Sequence, residues 1–251
     1  MLKRIIAPAL AAGVLVGALI SGLQTITTTP ILMEAETYES AAAPALDGFR
    51  IVLAHAEHDH GTGAIGAPWA PDAGIERLLY TVMANMVLAT GFALLLTAAF
   101  AVYGGKVDGR RGLIWGSGGF LALTLAPAAG LPPELPGTFA ADIVDRQIWW
   151  IGTALATAAG LALAVFAKEG AAKWPMILGG LALIALPHLI GAPHPGYAGG
   201  APPPELAAEY AATSIAVSAV FWALLGWTAG TFWARGEAEA AAEDAARAGV
   251  R

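Results

Sequence analysis

Six stretches of the chain are apolar and contain no Asp, Glu, Lys or Arg, and this pattern constrains the fold more than any other feature. About 20 such residues are needed for a helix to cross the roughly 30 Å hydrocarbon layer of a membrane. The pattern therefore predicts an all-α polytopic membrane protein, a transmembrane bundle of six helices (five to six spans). The predicted spans are residues 5–28, 78–103, 113–131, 148–167, 174–192 and 211–233.

The remaining segments predict how the chain is organised. Within the bundle region, 1–233, residues 29–77 form a long outer loop that is mostly irregular, with a short helix near 33–43. Residues 234–251 form a charged cytoplasmic tail. Glycines four residues apart, such as Gly112 and Gly116, let transmembrane backbones approach closely, and we expect helix packing there.

Composition agrees with a membrane location and excludes several classes of function. Only 13% of the residues are charged, whereas soluble domains carry about 25%. The net charge of −6 argues against nucleic acid as a partner, because phosphate binding needs clustered Lys and Arg. The absence of Cys excludes thiolate metal sites and Cys nucleophiles. The predicted partner of the apolar surface is the lipid bilayer.

The distribution of charge predicts the orientation. If the N-terminus is cytoplasmic and six spans alternate, ten of the 13 Lys and Arg residues lie on the cytoplasmic side. On the same assumption, 13 of the 19 Asp and Glu residues lie on the outer side. Because cytoplasmic loops carry an excess of Lys and Arg, we predict that both termini are cytoplasmic. The predicted location is the inner (cytoplasmic) membrane, with several crossings.

All five histidines fall in two places, and both places are predicted to be on the outer side: His55, His58 and His60 in the first loop, and His188 and His194 at the end of the fifth span. Imidazole interleaved with carboxylate suits divalent Co, Ni, Zn or Fe. Such a site weakens below about pH 6.5, because imidazole must be neutral to bind a metal. A plain solvated loop is the alternative for the first cluster.

His188 lies within the predicted fifth span and follows Pro187. An imidazole at that depth is costly unless it faces the bundle interior or a water-filled cavity. Pro187 removes a backbone donor and frees a carbonyl oxygen one turn back, which adds a candidate ligand. We therefore predict a metal ligand at His188, with a helix-end anchor at the interface as the alternative.

Acidic and amide side chains give weaker signals. Glu34 and Glu36 directly follow the first span and could attract cations towards the membrane, although ordinary surface acids are the alternative. Asn85 is the side-chain amide well inside a span, and the prediction is an interhelical hydrogen bond rather than a ligand. No phosphate-binding loop, His-Glu-x-x-His motif or Gly-x-Ser-x-Gly motif is present, and no acid lies within a span. The chain is therefore predicted not to be an enzyme.

Seven segments together resemble the CbtA family of proposed cobalt transporter subunits. They are PILMEAETYE at 30–39, the His-rich stretch 55–60, WAP at 69–71 leading to 76–77, GFALLL at 91–96, GLPPELPG at 130–137, RQIWW at 146–150 and LPHLIGAP at 186–193. The resemblance implies five spans, cobalt uptake that is often under cobalamin-dependent regulation, and a small one-span CbtB-like partner subunit. It also implies metal-binding roles for the histidines at 55, 58, 60 and 188 and for Glu34, Glu36 and Glu134.

The sequence thus leads to one functional hypothesis and one alternative. The hypothesis is a divalent metal-ion uptake permease subunit, with cobalt implied by the resemblance, an outward-facing His/carboxylate capture site and no permanently bound cofactor. The alternative is a non-transporting membrane metallochaperone or assembly subunit that passes metal to a partner. A homo-oligomer remains open, and the sequence does not define the energy source.

Overall fold

The computed structural model describes residues 2–46, 71, 74–196 and 199–248. These residues form helices joined by short connections, with one isolated antiparallel bridge between Thr138 and Gly200. The elements in chain order are α1 (Leu2–Ile26), α2 (Thr28–Leu46), α3 (Ile75–Tyr103), α4 (Gly109–Phe120), a π-helical segment (Leu121–Leu125), α5 (Ala126–Ala128), α6 (Ile143–Val165), α7 (Lys173–Ile190) and α8 (Pro204–Ala248).

Five helices of the described residues are long and apolar enough to cross a membrane: α1, α3, α6, α7 and α8. Large apolar side chains on these helices are exposed, among them Leu79, Leu155 and Leu189. In a bilayer such side chains face lipid, so their exposure carries no cost. The prediction of an all-α polytopic membrane protein is confirmed.

The predicted span 113–131 is not a single α-helix. Its residues belong to a helical run from Gly109 to Ala128 that is made of α4, the π-helical segment and α5. The amide of Ala126 donates to the carbonyl of Leu121, which is the wider spacing of a π-helix. Pro127 follows and has no amide hydrogen to continue an α-helix. Five uninterrupted helices of the described residues are therefore long and apolar enough to span a membrane, which is the number that the family resemblance implied. At the position of the sixth predicted span, the helical run is divided into segments.

Close backbone contacts at glycines join the helices into three antiparallel pairs. In the α4–α8 pair, a Cβ on Gly112 would meet the carbonyl oxygen of Gly226, and one on Gly116 would meet that of Trp222. Gly13 and Gly17 of α1 approach α3 in the same way, and Gly160 of α6 approaches Gly180 of α7. The packing predicted from four-residue glycine spacing is confirmed for α1, α4 and α8. The α6–α7 contact was not predicted, because each helix contributes a single contacting glycine.

The buried core lies between α1, α3 and α8, and its largest fully buried side chains include Val16, Phe100 and Leu225. Asn85 of α3 donates hydrogen bonds to Ser21 Oγ at 2.9 Å and to Gln24 Oε1 at 2.6 Å, both on α1. Interhelical hydrogen bonds of this kind contribute about 1 kcal/mol each in membranes. The prediction of an interhelical role for Asn85 is confirmed.

The connections gather at two opposite ends of the bundle. At the acidic end, α2 and the start of α8 pack on Leu135, and the backbone of segment 137–139 pairs with that of 199–201. At the basic end, Val107 is buried beside Trp233, and Tyr103 contacts Phe166. The acidic end carries most of the acids of the described residues, and the basic end carries Lys106, Arg110, Arg111, Lys168, Lys173 and Arg235.

Two helices extend beyond their predicted bounds. The helix predicted near 33–43 is α2, which begins at Thr28 and has 19 residues. The helix of the last predicted span, α8, continues into the charged tail as far as Ala248, as one helix of 45 residues. Ala and Glu dominate the tail and both favour helix, so the helix of the last span is extended rather than ended.

Candidate functional site

The start of α6 and the end of α7 lie side by side at the acidic end. Asp142 is the N-cap of α6, and its carboxylate accepts hydrogen bonds from the amides of Val144 and Asp145. α7 ends at Gly191, where φ is 89°, a value that favours glycine. After Gly191, the segment 193–196 lies beside the first turn of α6.

A surface depression of about 410 Å³ lies between these two segments. Asp142, Asp145 and His194 line it together with residues 139–141, 193, 195 and 196. Carboxylate oxygen and imidazole nitrogen are the donor atoms that borderline divalent metals accept. Within the described parts of the chain, no three His, Cys, Asp or Glu side chains are close enough together to hold a metal by themselves. The depression can therefore attract a hydrated ion but does not form a closed coordination shell.

His188 lies in the last turn of α7, and its side chain is exposed. Its ring meets the ring of Trp149 edge to face, with centroids 5.8 Å apart. Trp149 Nε1 also donates a hydrogen bond of 3.3 Å to the carbonyl of Pro187. The indole therefore fixes the end of α7 against α6 and holds the imidazole in place.

Two acids with a predicted metal-binding role, Glu134 and Glu36, are paired with arginine. Arg146 donates to Glu134 at 2.7 Å. Arg77 binds Glu36 with both terminal nitrogens, one of them at 3.1 Å, and this pair joins α3 to α2. The hydrogen bond from Arg77 is the main reason that the pKa of the Glu36 carboxyl is lowered, while partial burial opposes the shift and the charge of Arg77 adds to it. Glu34 is exposed on the same helix.

The Glu36–Arg77 pair predicts a pH-dependent contribution to stability. Because the pKa of Glu36 is lowered in the folded protein, the stabilisation is present above the ordinary carboxyl pKa and is lost as pH falls through the lowered value. Glu36→Gln should lower the free energy of unfolding by about 0.5–1 kcal/mol at pH 7, since the pair is partly exposed. Thermal unfolding against pH checks this, and the difference from the unchanged protein should disappear in acid.

Glu34→Gln is the matched control, because it removes an exposed carboxylate two residues away on the same helix. It should leave the unfolding temperature unchanged at both pH values. Equal effects of the two substitutions would contradict a specific role for the ion pair.

The predicted metal ligands therefore fall into two groups. The structure brings His188, His194 and Glu134 to the acidic end around α6, and Glu34 and Glu36 to the same end on α2. His55, His58 and His60 lie outside the described residues. Asp142 and Asp145 were not predicted as ligands. Their only sequence signal was that an Asp before an apolar run is a frequent N-cap, which does not indicate a metal.

Comparison with known proteins agrees with the family resemblance of the sequence segments. A family model described as "Probable cobalt transporter subunit (CbtA)" matches residues 2–234, nearly the whole chain. No curated protein and no solved structure matches. The resemblance noted from the sequence segments is confirmed.

Proposed function

The chain belongs to the CbtA family of probable cobalt transporter subunits, and from this premise we propose that it captures a divalent metal ion, cobalt first, at its acidic end for uptake. Membership in the family makes the chain a transporter subunit and not an enzyme. In this proposal the acidic end faces outward from the inner (cytoplasmic) membrane and both termini are cytoplasmic. The metal is the cargo, and no cofactor is held permanently.

The observation that carries the proposal is the depression shared by Asp142, Asp145 and His194. Two carboxylates offer negative charge to an arriving cation, and an imidazole offers a nitrogen donor that cobalt accepts. The side chains are open to solvent, so an ion can arrive with most of its water and leave again. A transport site needs this combination, because binding that is too tight stops release.

The helix termini add to the attraction. The C-terminal end of α7 carries partial negative charge from its free carbonyl groups, and His188 lies in that last turn. The N-terminal end of α6 carries partial positive charge, but Asp142 and Asp145 at that end offset it. The local field at the acidic end therefore favours a cation, and His188 offers a further imidazole at the end of α7.

The remaining predicted ligands would strengthen the binding of a cation at the acidic end. The first-loop histidines, His55, His58 and His60, would supply further imidazoles to an ion held at the acidic end. Glu34 and Glu36 on α2 would add negative potential there, although the ion pair with Arg77 offsets the charge of Glu36. A divalent ion would have to displace Arg146 to bind Glu134 directly.

Uptake of radiolabelled Co²⁺ tests the function. Cells stripped of their own cobalt importers should accumulate Co²⁺ when they express this chain, and excess Ni²⁺ in parallel samples ranks the selectivity. The double variant Asp142→Asn/Asp145→Asn should raise the KM for Co²⁺ about tenfold with little change in maximal rate, because capture is weakened but the path is not. Asn is as good an N-cap as Asp, so α6 keeps its start.

The matched control is Glu205→Gln/Glu209→Gln, which removes two exposed carboxylates of the acidic end that do not line the depression. It should leave the KM near that of the unchanged protein. An equal rise in KM for both double variants would mean that general surface charge, and not the depression, attracts the ion.

Purified chain in sealed vesicles separates the permease from its alternative. The family description names a subunit, which supports a partner such as a small one-span CbtB-like protein. Co²⁺ that enters vesicles only when such a partner is added would place the chain in a two-component permease. Co²⁺ that binds but never enters, with or without the partner, would contradict transport and favour a metallochaperone.

A further inference from the structure

Buried polar atoms without a hydrogen-bond partner are concentrated on one helix. Within the described residues five such side-chain atoms are found, and three of them belong to α6: Arg146 Nε, Thr153 Oγ1 and Thr157 Oγ1. Thr153 and Thr157 are 0% and 2% exposed. In a membrane a buried hydroxyl without a partner is destabilising, because neither lipid nor an apolar side chain can form a hydrogen bond with it.

Other hydroxyls in this protein avoid that cost. Ser21, Thr97 and Thr228 each donate to the carbonyl of the residue four positions earlier in their helix. Thr153 and Thr157 do not make this bond, so their hydroxyls are directed away from the backbone of α6. Two consecutive turns of one helix therefore present hydroxyl groups to the interior.

Helical spacing shows which neighbour these groups face. Residues 146, 149, 153, 157 and 160 recur every three or four positions and share one face of α6. Trp149 at one point of that face bonds to Pro187, and Gly160 at another contacts Gly180, so the face lies against α7. On α7, Pro187 has no amide hydrogen, which leaves the carbonyl of Leu183 without its helical donor.

We propose that the seam between these faces, defined by Arg146, Thr153, Thr157 and the Leu183 carbonyl, holds a file of water that admits the metal ion from the acidic end as far as the backbone contact of Gly160 with Gly180, which closes the seam beyond it. Water is the one ligand that suits every member, since the guanidinium nitrogen needs an acceptor, the carbonyl needs a donor, and the hydroxyls can serve as either. The seam starts beside the depression of Asp142, Asp145 and His194. Its role as an ion route rests on the proposed function.

The positive charge of Arg146 does not prevent this role. Glu134 pairs with Arg146 at 2.7 Å and neutralises it. A hydrated divalent ion also keeps water between itself and the guanidinium, so the two charges are screened. The hydroxyls and the carbonyl further in offer only oxygen, which binds an ion weakly enough for it to move on.

Cysteine substitution tests the seam directly, because the chain has no native Cys. Thr153→Cys and Thr157→Cys, in membranes, should react with a small cationic methanethiosulfonate reagent at least about tenfold faster than two control variants, since the reactive thiolate forms only in contact with water. The controls are Ala154→Cys, a buried neighbour at 4% exposure, and Leu155→Cys, a lipid-facing neighbour. Co²⁺ should slow the reaction at both seam positions.

Each result decides part of the proposal. Seam cysteines that react no faster than Leu155→Cys would overturn the water file, whatever the transport assay shows. Fast labelling that Co²⁺ does not slow would overturn the ion route while leaving the water in place. If a Cys variant fails to fold, hydroxyl-radical footprinting of the unchanged protein gives the same test. Ile184, which contacts Gly160 across the seam, should oxidise faster than the exposed Leu181, and the reverse order would overturn the proposal.

Discussion

Gly226→Ala is expected to lower the thermal unfolding temperature by roughly 4–10 °C, which corresponds to about 1–3 kcal/mol for an overpacked contact. A methyl group on Gly226 would overlap the carbonyl oxygen of Gly112 and would lie 2.8 Å from Cα and 2.9 Å from the amide nitrogen of Gly116. All three are backbone atoms, so no side-chain rotation can relieve the overlap. α4 and α8 must move apart, and the buried contacts between them are weakened.

Gly118→Ala is the matched control on α4. Apart from the adjacent backbone of α4 itself, no atom of the described residues lies within 4 Å of a methyl group at Gly118. Alanine is favoured over glycine in a helix by up to about 1 kcal/mol, so this variant should unfold at the same temperature as the unchanged protein or slightly above it. The eight tryptophans provide a fluorescence signal for both measurements. If both variants unfold at the same temperature, α4 and α8 are not in backbone contact at Gly226.

The helices were predictable because the bilayer imposes one simple condition on them. A span must lack charge for about 20 residues, and that condition can be read directly from α1, α3, α6 and α7. The fold departs from the prediction where the absence of charge gives no information about how the helix is built. A proline at 127 and a π-helical turn leave the apolar run 113–131 without charge but break it into three segments. The composition of α8 beyond Trp233 shows a polar tail, yet nothing in it stops the helix.

The candidate site was only partly predictable, since its members come from distant parts of the chain. The sequence indicated His194 as a ligand, but not the carboxylates of Asp142 and Asp145 that line the same depression. That neighbourhood depends on the turn at Gly191 and on the packing of α6 against α7. Arg77 illustrates the same limit, because the fold pairs it with Glu36, which lies 41 positions earlier in the chain.

Thiol labelling is expected to show that the segmented run 109–128 crosses the membrane as a sixth span. The run begins at the basic end, where Asp108 lies against Gly230 of α8, and it leads to Gly130 at the acidic end, against Trp149. Its 20 residues measure about 30 Å at 1.5 Å each, which matches the hydrocarbon thickness. Glycine lowers the hydropathy of α4, but a helix buried against α8 needs less apolar surface than one surrounded by lipid.

Three single-cysteine variants decide the number of crossings without any assumption about orientation: Lys106→Cys, Ala140→Cys and Glu169→Cys, all at exposed positions. Since α6 separates residue 140 from residue 169 in either arrangement, the informative position is 106. With six crossings, an impermeant maleimide labels positions 106 and 169 from the same face and position 140 from the opposite face. With five, position 106 is labelled together with 140. In intact cells we expect label at 140 alone, because the basic connections then face the cytoplasm. If positions 106 and 140 are labelled from the same face, the run 109–128 enters and leaves the membrane on one side, and the two termini lie on opposite faces. In that case α4 and α8 do not cross the membrane as a pair.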